Sequence, residues 1–139
     1  MELNTVGGKA ARLLKLRKLG YIVPRFAVVT TDTNSQESIN EILKDLEGEY
    51  FAVRSSANAE DGTNHSFAGM FDTFLYVKRT EVFDRVQQVF ESAENERVLH
   101  YMNAQNIDST LQMAVIIQEM VNASVSGVAF GEHPGNQEK

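Results

Sequence analysis

The chain has 139 residues, 42% of them hydrophobic, which suits one globular domain with a core. A formal charge of -6 argues against a general nucleic-acid binder, which calls for a basic surface. With no cysteine, disulfides, thiolate metal sites and a cysteine nucleophile are excluded, and a reducing cytosol fits. No stretch approaches the roughly 18 consecutive apolar residues of a membrane span, and the charged N-terminus has no uninterrupted signal-peptide core.

Leu3, Val6, Ala10, Leu13 and Leu14 recur at helical spacing, with Lys9, Arg12, Lys15, Arg17 and Lys18 mostly off that face. This predicts a first helix ended by Gly20, with an extended exit through "YIVP". The β-branched run "RFAVVTT" predicts a strand. After it, capping residues precede Ile39, Ile42, Leu43 and Leu46 on one face, a second helix that Gly48 ends. "YFAVRSS" is the next strand, "ANAEDGTNHSFAGM" a loop of the length associated with function, and "FDTFLYV" an alternating strand. From Thr80 a helix carries Val82, Val86, Val89, Phe90 and Ala93 in phase. The phase slips at Ser92 to Asn95, which predicts a break and a second helical piece, "ERVLHYMNAQN". "LQMAVIIQEMV" and "SVSGVAFGE" read as two apolar strands joined by "NAS" in a hairpin. The expected fold is α+β, a single domain over 1–139 with a mixed sheet and flanking helices. The polar stub "GEHPGNQEK" after an apolar run suggests one piece of a larger architecture.

The polar residues that interrupt this pattern carry the functional reading. "VGGK" places two glycines ahead of Lys9 at a helix start, where backbone N–H groups, the helix dipole and an ammonium all favour an anion; a flexible helix start with a solvated lysine is the plainer account. Arg54 follows a strand that reads as buried, and its planar fork suits phosphate oxygens; alternatively it pairs with Glu60 or Asp61. In "SFAGMFDT", Gly69 lets backbone N–H groups close over a phosphate and Thr73 adds a hydroxyl, unless the loop simply caps the core with Phe67 and Phe71. Gln118 and Glu119 lie inside an apolar strand, where they suit a nucleobase or a water-facing strand end. His65, His100 and His133 show no metal-ligand spacing, and His65 reads as an exposed loop histidine before it reads as a phosphoacceptor.

In combination and order, "VGGKAARLLKL", "FAVRSSANAED", "SFAGMFDTFLYV", "ENERVLHYM" and "VIIQEMVNASVSGVAF" resemble the N-terminal nucleotide-binding domain of the phosphoenolpyruvate synthase and pyruvate phosphate dikinase family. Glucan/water dikinases and rifampin phosphotransferase share that domain. The resemblance implies the first subdomain of an ATP-grasp-like domain. ATP would phosphorylate a histidine on a separate domain, which passes the group to pyruvate at a barrel domain. It further implies that Lys9 and Arg54 bind ATP phosphates, that Gly69 and Thr73 meet the nucleotide, and that Gln118 lies near the adenine edge. Arg54 is the residue expected to act in catalysis. Mg²⁺ ligands are expected downstream of this chain, with the family's "GLGE" and "QxR" segments. The isolated chain is therefore expected to turn over negligibly. A stand-alone nucleotide- or partner-binding module of the same fold, and a phosphotransferase acting on a glucan or an antibiotic, are the alternatives. Neither a nucleic acid nor a membrane is an expected partner.

Overall fold

The computed structural model describes residues 3–57, 71–94, 96–104 and 113–129, with the backbone alone for Leu3 to Val6. Four helices and four strands follow in the order α1 (Leu3–Lys18), β1 (Phe26–Val29), α2 (Gln36–Asp45), β2 (Tyr50–Ala57), β3 (Thr73–Lys78), α3 (Val82–Ser92), α4 (Glu96–Ala104) and β4 (Met113–Glu119). The sheet order is β1-β4-β2-β3.

The end of α1 and the start of α2 have local causes. At the end of α1, Gly20 takes φ 92, its N–H donates to the Arg17 carbonyl and the Tyr21 N–H donates to the Leu16 carbonyl. This pair of bonds is a Schellman closure, which a left-handed glycine permits. At the start of α2 the Ser35 hydroxyl accepts the Ser38 N–H at 3.1 Å. Ser35→Ala is expected to cost about 1 kcal/mol, read as a lowered urea midpoint with unchanged slope.

The expected mixed sheet is antiparallel throughout. β1 and β2 do point the same way, as the α2 crossover between them favours, but β4 enters between them from the opposite direction and separates them. The same insertion overturns the expected C-terminal hairpin. β4 is paired on both edges, to β1 and to β2, so a following strand has no edge of β4 to join. Residues 121–129 run on without strand pairing, and Val125 and Val128 are 87% and 81% exposed.

The alternation expected along β3 also fails in the middle. Phe51 faces Val77 and Val53 faces Phe74, so Leu75 and Tyr76 together oppose Ala52. This bulge puts Tyr76 at φ 54, in the left-handed region, and turns its ring edge-on to Tyr50 at 6.4 Å. It also shifts the phase so that Phe74 and Val77 both reach the core.

Strand alternation divides the interior into two layers. One face of the sheet, with Val29, Phe51, Val53, Val115 and Ile117, packs against Ile39, Leu43, Val82, Val86, Val89 and Val98 of the later helices. The other face, with Phe26, Val28 and Ile116, receives Ala10, Leu13 and Leu14 of α1. Arg54, Thr73 and Gln118 are in phase with this second face.

Candidate functional site

Because successive strand residues point to opposite faces, Ala52, Arg54 and Ser56 share the α1 side of β2, while Phe51, Val53 and Ala57 enter the large core. The register then fixes their neighbours. Thr73 of β3 and Ile116 of β4 lie directly opposite Arg54, and Gln118 lies opposite Ala52. Directly opposed residues have Cβ atoms about 5 Å apart and diagonal ones about 7–8 Å apart. Thr73, Arg54 and Gln118 are thus neighbours on one face. Arg54 is half-buried, and Thr73 is exposed at the sheet edge.

Lys9 reaches the same region from the helix. α1 is interrupted at Gly7, which has φ 80 and ψ 168, so the helical segment that carries Lys9 starts afresh at Gly8. Gly7 abuts the Ser56 backbone, and the Ala10 N–H donates to Ser56 Oγ at 3.0 Å. Lys9 lies between these two anchors. Its Cα is therefore within about one helical turn of the strand end that carries Arg54. The two cations named from the sequence stand on the same side of the sheet.

Gln118 has a job that its position in the sequence did not disclose. It is 8% exposed, and its Nε2 donates to the Pro24 carbonyl at 3.1 Å, holding the chain as it turns into β1. The water-facing strand end is thereby excluded, since β4 is central in the sheet. Glu119, by contrast, faces outward. Its Oε2 accepts the Glu47 N–H at 2.6 Å and lies 3.5 Å from Arg25 Nε.

Near Thr73, the Ser92 hydroxyl accepts the Asp72 N–H at 3.3 Å and donates to the Val89 carbonyl at 2.6 Å. Phe71 is buried in the large core. These contacts tie the entry to β3 against α3 and so fix where Thr73 begins the strand. Gly69, Glu60, Asp61, His65, Phe67 and His133 lie outside the described residues. His100 is exposed on α4.

A separate cleft of about 440 Å³, lined by Glu47, Glu49, Tyr50, Tyr76, Glu119 and Val121, opens at the other end of β2. Its carboxylates repel a polyphosphate, so the electrostatics favour the Arg54 end for an anion.

A family model for the pyruvate phosphate dikinase AMP/ATP-binding domain matches residues 34–139. The chain belongs to that family. The match takes in Arg54, Gly69, Thr73 and Gln118 and begins after α1, so Lys9 stands outside it. Among curated relatives, a probable phosphoenolpyruvate synthase of Methanothermobacter thermautotrophicus is 44% identical over 91 residues, covering 64% of this chain and 13% of its own length. The prodigiosin synthesizing transferase of Serratia marcescens is 43% identical over 99 residues, with 70% and 11% covered. A rifampicin phosphotransferase of a Streptomyces species is 42% identical over 86 residues, with 60% and 10% covered. The chain thus spans about a tenth of the length of these relatives. A dikinase-family AMP/ATP-binding domain accounts for the nucleotide as the ligand class. No described helix is long and apolar enough to cross a membrane.

Ser56 is the residue whose role sequence reading missed. It was visible as one of two hydroxyls after Arg54, but its partner is 46 positions away, beyond the reach of any local pattern.

Proposed function

We propose that this chain is the ATP-facing first subdomain of a phosphoenolpyruvate synthase-like dikinase, of ATP-grasp-like architecture and cytoplasmic. The observation that carries this reading is the gathering of Arg54, Thr73 and Gln118 on one sheet face, beneath the helix start that bears Lys9. Membership in an AMP/ATP-binding family supplies the ligand class. Within such a ligand, the triphosphate is the part suited to a planar guanidinium and an ammonium.

In this reading Lys9 and Arg54 grip phosphate oxygens, and Arg54 opposes the negative charge that moves during phosphoryl transfer. Thr73 adds a hydroxyl donor beside Arg54, and Gly69 lets backbone N–H groups close over the same group. Gln118 keeps its amide oxygen for the amino group of the purine while its nitrogen holds Pro24. Among the described residues no three carboxylate, imidazole or thiolate groups gather where a cation could sit. In this reading the Mg²⁺ ligands come from outside the described residues.

The parent reaction converts ATP, pyruvate and water to AMP, phosphoenolpyruvate and phosphate through a phosphohistidine on another domain. The partners are then ATP, the rest of the ATP-grasp unit, the phosphohistidine domain and the pyruvate-binding barrel. The name of the rifampicin phosphotransferase relative favours a second version, in which the same nucleotide chemistry serves another acceptor.

An ATP titration followed by amide chemical shifts tests the site. A charge-assisted contact contributes roughly 1.5–3 kcal/mol, so Lys9→Ala and Arg54→Ala, each confirmed as folded, are expected to weaken ATP binding about tenfold or more. Equal affinity in wild type and both variants would remove the proposed phosphate site.

A further inference from the structure

We propose that Ser56 is a positioning residue for the nucleotide site: its buried hydroxyl latches the start of α1 to the end of β2, and so sets where Lys9 stands relative to Arg54. The inference rests on the reading of Lys9 and Arg54 as phosphate ligands.

The first N–H groups of a helix lack partners within the helix, and the residue before its first turn normally supplies a side-chain oxygen to one of them. In the segment of α1 that follows the kink that residue is Gly7, which has no side chain. The donor that a local cap would satisfy, the Ala10 N–H three positions on, is taken instead by Ser56 Oγ at 3.0 Å. Ser56 thus performs from a neighbouring strand the capping that Gly7 cannot. Its hydroxyl is 0% exposed, so water does not replace the bond when it is removed.

Gly7 completes the latch. Its φ of 80 and ψ of 168 lie in a region open to glycine alone. A Cβ there would stand 2.6 Å from Ser56 Oγ and closer still to the Ser56 carbonyl. The helix start therefore touches Ser56 twice, once through an absent side chain and once through a hydrogen bond. Arg54 lies two residues back on the same face, about 7 Å along the strand. Whatever fixes the helix start to Ser56 also fixes Lys9 against Arg54. Affinity for a triphosphate then scales with the fraction of molecules in which the latch is closed.

The test is a double-mutant cycle on the isotope-labelled 139-residue chain, with ATP and adenosine as ligands and Ala10 amide exchange as a second readout. Ser56→Ala is expected to stay folded, to speed exchange at Ala10 and to weaken ATP binding measurably, by at most about fivefold, the factor that corresponds to a lost cap. In a Lys9→Ala background the same change is expected to cost less than about twofold, because the group it positions is gone. Adenosine, which carries no phosphate, is expected to bind Ser56→Ala and wild type alike. Should Ser56→Ala fail to fold, Ser56→Cys keeps the volume with a weak acceptor and enters the same cycle.

Wild-type ATP affinity in the Ser56 variant would overturn the positioning role. So would an equal loss with and without Lys9, since that is the signature of general destabilisation. A wild-type chain that binds no ATP would overturn the phosphate reading and the positioning role together. Unchanged Ala10 exchange in the Ser56 variants would overturn the latch alone, so the two failures are distinguishable.

Discussion

Gly7→Ala is expected to destabilise the chain by about 3 kcal/mol or more, and to release the start of α1 from the sheet. Two penalties act at this one position. The backbone, at φ 80 and ψ 168, is held where an L side chain is strained. The added methyl would also overlap the Ser56 carbonyl, a backbone group of a fully buried residue whose strand pairs with β4 at that position, so it has little room to swing aside. Gly20 and Gly48 separate the two effects. They have φ of 92 and 93, yet a Cβ at either meets nothing within 4 Å. Their alanine variants are expected to cost about 1 kcal/mol each, the backbone term alone. Urea midpoints for the three variants would check the ranking, and Ala10 amide exchange would show whether the helix start has detached. If Gly7→Ala matched Gly20→Ala, the close approach to Ser56 would not be part of the folded state. Because Lys9 lies two residues beyond Gly7, the same variant is also expected to lose ATP affinity.

What the sequence disclosed and what it hid divide along the range of the interactions. The helix Gln36–Asp45 and the break near Ser92 were legible because their causes are local: a cap, a period of 3.6 and a slip of phase. Arg54 drew attention as a candidate because a guanidinium at the end of an apolar strand conflicts with its surroundings. The position of β4 was not legible. Nothing in "MAVIIQE" states that it will sit between β1 and β2, and the expected C-terminal hairpin failed for that reason alone. The bulge at Leu75 and Tyr76 was hidden likewise, since two residues facing one is a property of the pair of strands. Gln118 drew attention as a polar residue in a core strand. The carbonyl it serves, that of Pro24, is 94 positions away.

Arg79→Ala is expected to cost about 3 kcal/mol, although the residue lies far from the Arg54 end of β2 and carries no part of the proposed chemistry. The α2 helix leaves its last carbonyls without intrahelical donors, as every helix does. Here one side chain serves one carbonyl of the last turn and two just past the helix end. Arg79 Nη1 donates to the Leu43 carbonyl, and Nη2 donates to those of Leu46 and Gly48 at 2.8 and 2.7 Å. The guanidinium also lies over the Phe51 ring, 5.0 Å from its centre, and a cation at a helix C-terminus meets the favourable end of the dipole. Removing the fork strands carbonyls whose own residues, Leu43 and Leu46, are buried in the large core. Lysine keeps the charge but only a single nitrogen, which cannot serve three carbonyls in a fixed plane. Arg79→Lys is therefore expected to recover less than half of the loss, and a salt titration should leave the Arg79→Ala deficit largely unchanged because the bonds are to neutral acceptors. Equilibrium urea unfolding of wild type, Arg79→Ala and Arg79→Lys tests the ranking. Full recovery by lysine would show that charge at the helix end, and not the geometry of the fork, holds α2 to the turn after β3. The ATP affinity of folded Arg79→Ala should match wild type, which separates a residue that stabilises the sheet from those proposed to hold the nucleotide upon it.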